Sequence, residues 1–251
     1  MNDVHVDIGT AARAHFATTD VVMARLMDVV GPYGLLPDLD CTPFRALARA
    51  IAHQQLHGTA AKSILARLVS TCGRGSFPTP QRLLAIPESE LRAIGFSYAK
   101  IAALRDLAEK CIQGVVPSRR ELERLSDAEI IERVTQVRGV GRWTVEMMLM
   151  FQLGRPDVLP VDDFGVRNGF RLAYGLEEMP APRALAAYGE RWRPYRSVAS
   201  WYLWRAVELA REGRLPPPAE KIRLPRLLRV RRKVAARLEQ LRTARKKRAR
   251  K

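Results

Sequence analysis

Two short stretches hold residues of the right type and spacing for chemistry. In Val137-Arg-Gly-Val-Gly-Arg-Trp-Thr-Val-Glu-Met147, Gly139 and Gly141 lead an apolar turn straight into a helical pattern. Glycine lets backbone N–H groups approach an anion closely, and a helix N-terminus adds a favourable dipole. In a chain with a net charge of +17, the anion implied is a nucleic-acid phosphate. In Val161-Asp-Asp-Phe-Gly-Val-Arg167, Asp162 and Asp163 open a second helical pattern. Such carboxylates cap a helix, and they also stabilise positive charge developing on a substrate. A phosphate grip followed closely by a carboxylate points to an enzyme that works on DNA. Arg167 follows Asp163 by one helical turn, and the expected ion pair would keep the carboxylate ionised.

The elements that must position these residues read as helices almost throughout. The spacing predicts helices over 19–30, 43–54, 58–72, 79–84, 88–94, 98–113, 126–136, 142–153, 163–174, 182–190 and 195–212. Breaks fall at glycine and proline clusters such as Gly31-Pro32, Thr42-Pro43 and Gly114 to Pro117. His5-Val-Asp-Ile8 is the sole candidate for period-2 alternation. Pro216-Pro-Pro218 ends the last helix as a stiff spacer. Beyond it, a basic amphipathic helix is expected over Leu224 to Leu241, and disorder over Arg242 to Lys251.

The charge is uneven. Residues 219–251 hold 15 Lys and Arg against 2 Asp and Glu, so most of the positive charge lies in this tail and the body is only mildly basic. Counterion release makes such a tail attractive to polyanions in general. Cys41, Cys72 and Cys111 form no C-x-x-C pattern, which argues against a disulfide framework, a zinc site or an iron–sulfur cluster. His5, His15 and His53 have no partner at metal-ligand spacing. The first residues lack a basic region followed by an apolar one, and no run approaches the ~20 apolar residues of a membrane span. The expectation is a protein that is not secreted and has no membrane partner, placed in the cytoplasm with the nucleoid or in the nucleus.

Five blocks, in order, resemble the helix-hairpin-helix DNA glycosylases of the alkyladenine (3-methyladenine) type, in a compact form. They are Phe44 to Lys62, with its Gln54-Gln55 loop; Ile94-Gly-Phe-Ser-Tyr-Ala-Lys100; Val137 to Met147; Leu159 to Gly169; and Trp192 to Arg205, with Trp201, Tyr202 and Trp204. The resemblance covers roughly residues 20–212. It implies an all-α fold of two helical subdomains within 1–218. The hairpin would lie at about 132–150, the active site in the cleft between subdomains, and the basic tail over 219–251.

What the resemblance implies for the site follows residue by residue. Asp163 is the catalytic carboxylate, with Asp162 as a cap or supporting group. Hydrolysis of an N-glycosidic bond develops oxocarbenium charge on the sugar, which a carboxylate stabilises while it orients the attacking water. An alkylated purine is already cationic and leaves readily. Trp143, Trp204, Met147, Trp201 and Tyr202 would wall the pocket for the flipped base, since a cationic base gains from stacking on aromatic faces. Glu146 would tie down that pocket. DNA would be gripped by Arg138, Gly139, Val140, Gly141, Arg142 and Thr144 of the hairpin. A sodium or potassium ion held on hairpin carbonyls would assist, with no other cofactor. The loop Gln54, Gln55, Leu56, His57, Gly58 would carry the wedge that fills the hole left by the base, His57 before Leu56. Ser97, Tyr98 and Lys100 would add phosphate contacts.

Strand-cutting members of this superfamily place a lysine after the hairpin to form a Schiff base. Trp143 stands there instead, which implies a monofunctional enzyme. The expected partner is duplex DNA with alkylated bases, bound by a monomer. A bifunctional glycosylase/lyase and a non-catalytic DNA clamp are the alternatives.

Overall fold

The structure is a computed structural model and describes residues 3–56, 58–72, 75–218 and 222. It is helical, with no strand among the described residues. Two compact units are built from interleaved chain segments. One takes residues 34–160 with the first eight, the other residues 9–33 with 161 onward.

In the first unit, α3 (Pro43–His53) is capped by the Thr42 hydroxyl and has proline at its start, where no amide hydrogen is missed. Its apolar face, Phe44, Leu47, Ala48, Ile51 and Ala52, is buried. It packs on α7 (Tyr98–Ile112), which Ser97 caps by accepting from the Lys100 amide. Helices α4 (Gly58–Arg67), α5 (Pro80–Ala85), α6 (Glu88–Ile94) and α8 (Arg119–Leu122) complete the surroundings. Then α9 (Asp127–Val134), opened by the Ser126–Glu129 capping box, leads through the Val137–Gly141 turn into α10 (Arg142–Phe151). The α10 helix packs on both α9 and α3. A cavity of about 490 Å³ in this unit is lined by Phe44, Phe77, Cys111 and Val116 among others and holds none of the candidate site residues.

In the second unit, α2 (Val21–Val30) and α11 (Phe164–Ala173) both pack on α13 (Arg196–Arg211), and α12 (Pro182–Gly189) adjoins a short 3₁₀ turn over Glu190–Trp192. Asp20 is 5% exposed, a buried carboxylate that must be satisfied internally. Its Oδ1 caps α2 by accepting from the Met23 amide at 3.1 Å. Its Oδ2 accepts from the Tyr174 hydroxyl at 2.7 Å and the Trp192 indole at 2.8 Å. Phe170, stacked on Tyr174 at 4.2 Å, joins these rings in one aromatic core.

The eleven helices expected from spacing are present with small shifts at their ends, and two were not anticipated. The α8 helix is a single turn, and α1 (Asp3–Thr19) takes in His5–Ile8, where period-2 alternation was expected. The buried Ala12 and Phe16, one turn apart, fix that segment as a helix. The expected helix and disorder of the tail lie outside the described residues.

Candidate active site

The hairpin turn belongs to the first unit. Gly139 adopts φ +76°, in the left-handed region that favours glycine. The Val140 amide turns inward to the Val137 carbonyl at 3.0 Å, and the Arg138 amide donates to Asp106 Oδ2 at 2.7 Å. These two amides are thus taken up within the chain. Those of Gly139, Gly141 and Arg142 donate to no acceptor among the described residues. Gly141 caps α10 at φ −93°, and a Cβ there would meet nothing within 4 Å. The chain's own packing leaves open space at that position.

The side chains expected to grip DNA from the hairpin divide into two sets. Arg138 is exposed. The exposed Arg142 pairs through Nε with Oε1 of the buried Glu146 at 2.8 Å, so it is anchored at its base. Thr144 and the Val140 side chain are buried, which corrects their assignment as DNA contacts. At the start of α10 Trp143 is 48% exposed; one turn on, Met147 is half-buried and Glu146 is held by Arg142 rather than turned to solvent.

Beside the turn, Gln54 ends α3 and donates from Nε2 to the Gly139 carbonyl at 2.8 Å. Gln55 is a non-glycine residue at φ +54°, and Leu56 is exposed. His57, the first choice for the wedge, lies outside the described residues. Gly58 opens α4 and is exposed. Ser97 spends its hydroxyl capping α7, and Tyr98 lies exposed under the Arg92 guanidinium, 4.4 Å from the ring centre. Lys100 was expected on phosphate. Its ammonium instead donates to the Ala52 carbonyl in the last turn of α3 at 2.7 Å, satisfying one of that helix's orphan acceptors. Burial there lowers its pKa.

The carboxylate centre belongs to the second unit. Asp163, not Asp162, is the N-cap of α11. Its Oδ1 accepts from the Val166 amide at 2.7 Å and from the Trp204 indole Nε1 at 2.9 Å. Asp162 is exposed and caps nothing, which corrects the capping role expected of it. Arg167 likewise departs from expectation. Its Nε donates to the Pro180 carbonyl at 2.9 Å, where a pair with Asp163 was expected. On α13 the aromatics separate by face. Trp204 is half-buried against Asp163. Trp201 is half-buried, edge-on to Tyr33 and under Arg205 at 5.3 Å. Tyr202 is 1% exposed, and its hydroxyl donates to the Gly31 carbonyl at 2.8 Å. Burial pushes its pKa up to about 12. It is a core residue, not a pocket wall.

Two glycines make the Asp163–Trp204 contact possible. A Cβ on Gly165 would lie 2.7 Å from Trp204 Cδ1, and one on Gly169 would lie 1.9 Å from the Leu203 carbonyl oxygen. The pair brings α11 and α13 into close backbone contact. Their four-residue spacing was a readable signal for such an approach. Phe164, 66% exposed directly after Asp163, is an aromatic that the motif comparison passed over. Among the described residues no group of three or more His, Cys, Asp or Glu could hold a metal, and no helix is long and apolar enough to cross a membrane.

A family model for HhH-GPD superfamily base excision DNA repair proteins matches residues 48–194, which take in the Gln54 loop, the hairpin and Asp163. This chain belongs to that superfamily. It is similar to DNA-3-methyladenine glycosylase 1 of Schizosaccharomyces pombe, 42% identical over 202 residues, 80% of this chain and 89% of that protein. The solved structure of the S. pombe 3-methyladenine DNA glycosylase Mag1 in complex with abasic DNA superimposes with a TM-score of 0.72, covering 80% of this chain and 98% of that one. A DNA-3-methyladenine glycosidase from Bacillus halodurans, 34% identical, superimposes with a TM-score of 0.73, covering 79% and 89%. The all-α HhH-GPD fold, here in its compact form, therefore frames both the hairpin and the capped aspartate.

Proposed function

We propose that this HhH-GPD protein is a monofunctional DNA glycosylase that binds duplex DNA as a monomer, flips out alkylated purines such as 3-methyladenine and hydrolyses their N-glycosidic bond. The observation that carries the reading is Asp163, whose carboxylate is fixed at the head of α11 by the Val166 amide and the Trp204 indole, within a chain 42% identical to a 3-methyladenine glycosylase.

In the reaction the C1′–N bond breaks, its electron pair leaves with the cationic base, and positive charge spreads over C1′ and the ring oxygen. Asp163 stabilises that charge, orients a water and takes up its proton as the water oxygen bonds to C1′. The two donors on Oδ1 hold the carboxylate in one orientation before substrate arrives, so little reorganisation is needed. Trp204, held beside Asp163, supplies an apolar face for the extruded base. The amides of Gly139, Gly141 and Arg142 serve the phosphate, with Arg138 adding charge. A monovalent cation suits the turn, because the carbonyls of Gln136 and Arg138 accept no hydrogen bond among the described residues and offer the hard oxygen donors such an ion takes. When bound it would add positive charge at the phosphate grip. Release of free methylated base from alkylated duplex DNA tests the whole reading; a chain that binds duplex but releases none would overturn it.

Two further outcomes follow. Borohydride added during turnover should trap no covalent protein–DNA adduct, because Trp143 offers no amine; a trapped adduct would make the enzyme a lyase. Truncation after Pro218, which removes the tail's 15 basic residues, should flatten the dependence of duplex affinity on salt while single-turnover excision stays within about twofold. An unchanged slope would separate the tail from DNA binding.

A further inference from the structure

Lys100, Gln54 and Asp106 share a relation that a set of separate DNA contacts would not require. Each spans between elements of the first unit, and each ends on backbone next to a segment assigned to DNA. Lys100 on α7 holds the Ala52 carbonyl, two residues before the Gln54 loop. Gln54 in that loop holds the Gly139 carbonyl in the hairpin turn. Asp106, nearly two turns along α7 from Lys100, holds the amide of the preceding residue in the same turn, Arg138. Ala103, between them on α7, lies 3.7 Å from the position a Cβ on Gly139 would take, closing the ring of contacts.

From this geometry we infer that Lys100, Gln54 and Asp106 are positioning residues that lock the wedge loop to the hairpin turn, so that phosphate grip and base extrusion are executed by one rigid assembly. The inference rests on the glycosylase reading and adds how that site is held together. The charges favour it over three independent phosphate contacts. A carboxylate beside a phosphate-binding turn repels the ligand, so Asp106 is tolerated there for what it holds. Burial raises its pKa, but the Arg138 amide and Lys110 outweigh that and keep it below the usual carboxylate range, hence ionised. Lys100, for its part, is anchored on a carbonyl instead of reaching into solvent. The loop also needs restraint, since Gln55 sits at φ +54° without being glycine, a conformation that persists only when its surroundings hold it. Leu56, exposed next to it, is carried by whatever fixes Gln54.

The test compares Lys100→Met, Gln54→Ala, Asp106→Ala and Asp106→Asn in the full chain. Three readouts are used: thermal unfolding, the salt dependence of duplex affinity, and extrusion followed by 2-aminopurine fluorescence beside an alkylated base. Lys100→Met should lower the extrusion amplitude about tenfold and leave the salt slope unchanged. A direct phosphate contact would instead lower that slope by about 0.9 and affect affinity first. Asp106→Asn keeps an acceptor for the Arg138 amide and should restore most of what Asp106→Ala loses. Gln54→Ala and Asp106→Ala act on one turn, so the double variant should lose little more than the worse single one. A reduced slope for Lys100→Met, or losses that multiply, would overturn the lock. Fluorescence reports extrusion whether or not a base is released. Wild type that extrudes without releasing base would therefore sink the glycosylase reading and leave the lock standing.

Discussion

Replacing Asp163 with asparagine is expected to slow single-turnover base release by about 10²–10³-fold, roughly 3–4 kcal/mol of transition-state stabilisation, with duplex affinity kept. The substitution isolates charge from structure. Asparagine is as good an N-cap as aspartate, and its Oδ1 accepts from the Val166 amide and the Trp204 indole as the carboxylate does. The fold, the cap and the orientation of the group therefore survive, and only the negative charge facing the oxocarbenium sugar is lost. Free methylated base measured from alkylated duplex, beside binding to an abasic duplex, reads both halves. Equal release by wild type and Asp163→Asn would remove Asp163 from the chemistry. By contrast Asp162→Asn, at an exposed position that caps nothing, should change release less than twofold.

Gly169→Ala should be the most damaging single-methyl change in the second unit. The added carbon would lie 1.9 Å from the Leu203 carbonyl oxygen and 2.6 Å from its carbon. Both are backbone atoms inside a helix and cannot swing aside, so α11 and α13 must separate along their contact. Overpacking of this kind costs about 3 kcal/mol, which lowers the melting temperature by about 10 °C in a chain of this size. Excision should fall further than stability explains, because Trp204 leaves Asp163 as the helices part. Gly165→Ala separates the two effects. Its Cβ would strike the Trp204 ring, a side chain that can turn, so stability should drop less while the indole hydrogen bond is lost. Differential scanning calorimetry with single-turnover excision distinguishes them. A Gly169→Ala protein melting within about 2 °C of wild type would refute the close approach.

The helices were readable from sequence because their apolar positions recur at helical spacing and their ends bear Thr42-Pro43, Ser97 or the Ser126–Glu129 pair. The α1 helix escaped notice because His5 to Ile8 alternates over four residues before Ala12 and Phe16 establish the longer period. At the site, Asp163 was legible since cap and motif coincide there. The roles that failed depend on partners distant in the chain. Spacing along α13 does not say that Tyr202 meets the Gly31 carbonyl, 171 residues away. Nor does it say that Lys100 finds Ala52 or that Arg167 turns to Pro180. Asp106 carried no signal, because an acid on a helix face usually means solvent. The Gly165–Gly169 spacing, on the other hand, was in view and had a physical reading.

The buried Asp20 bears on how the chain is made. Its partners Tyr174 and Trp192 lie 154 and 172 residues downstream. On a ribosome adding about 5–20 residues per second, the first unit, continuous from residue 34 to 160, is complete while α2 still waits for α11 and α13. For several seconds or more the apolar face of α2, with Val22, Met23, Leu26 and Met27, lacks α11 and α13, the helices it packs on, and Asp20 lacks Tyr174 and Trp192. The second unit therefore cannot close until α13 has been made, long after the first unit's continuous stretch is in place.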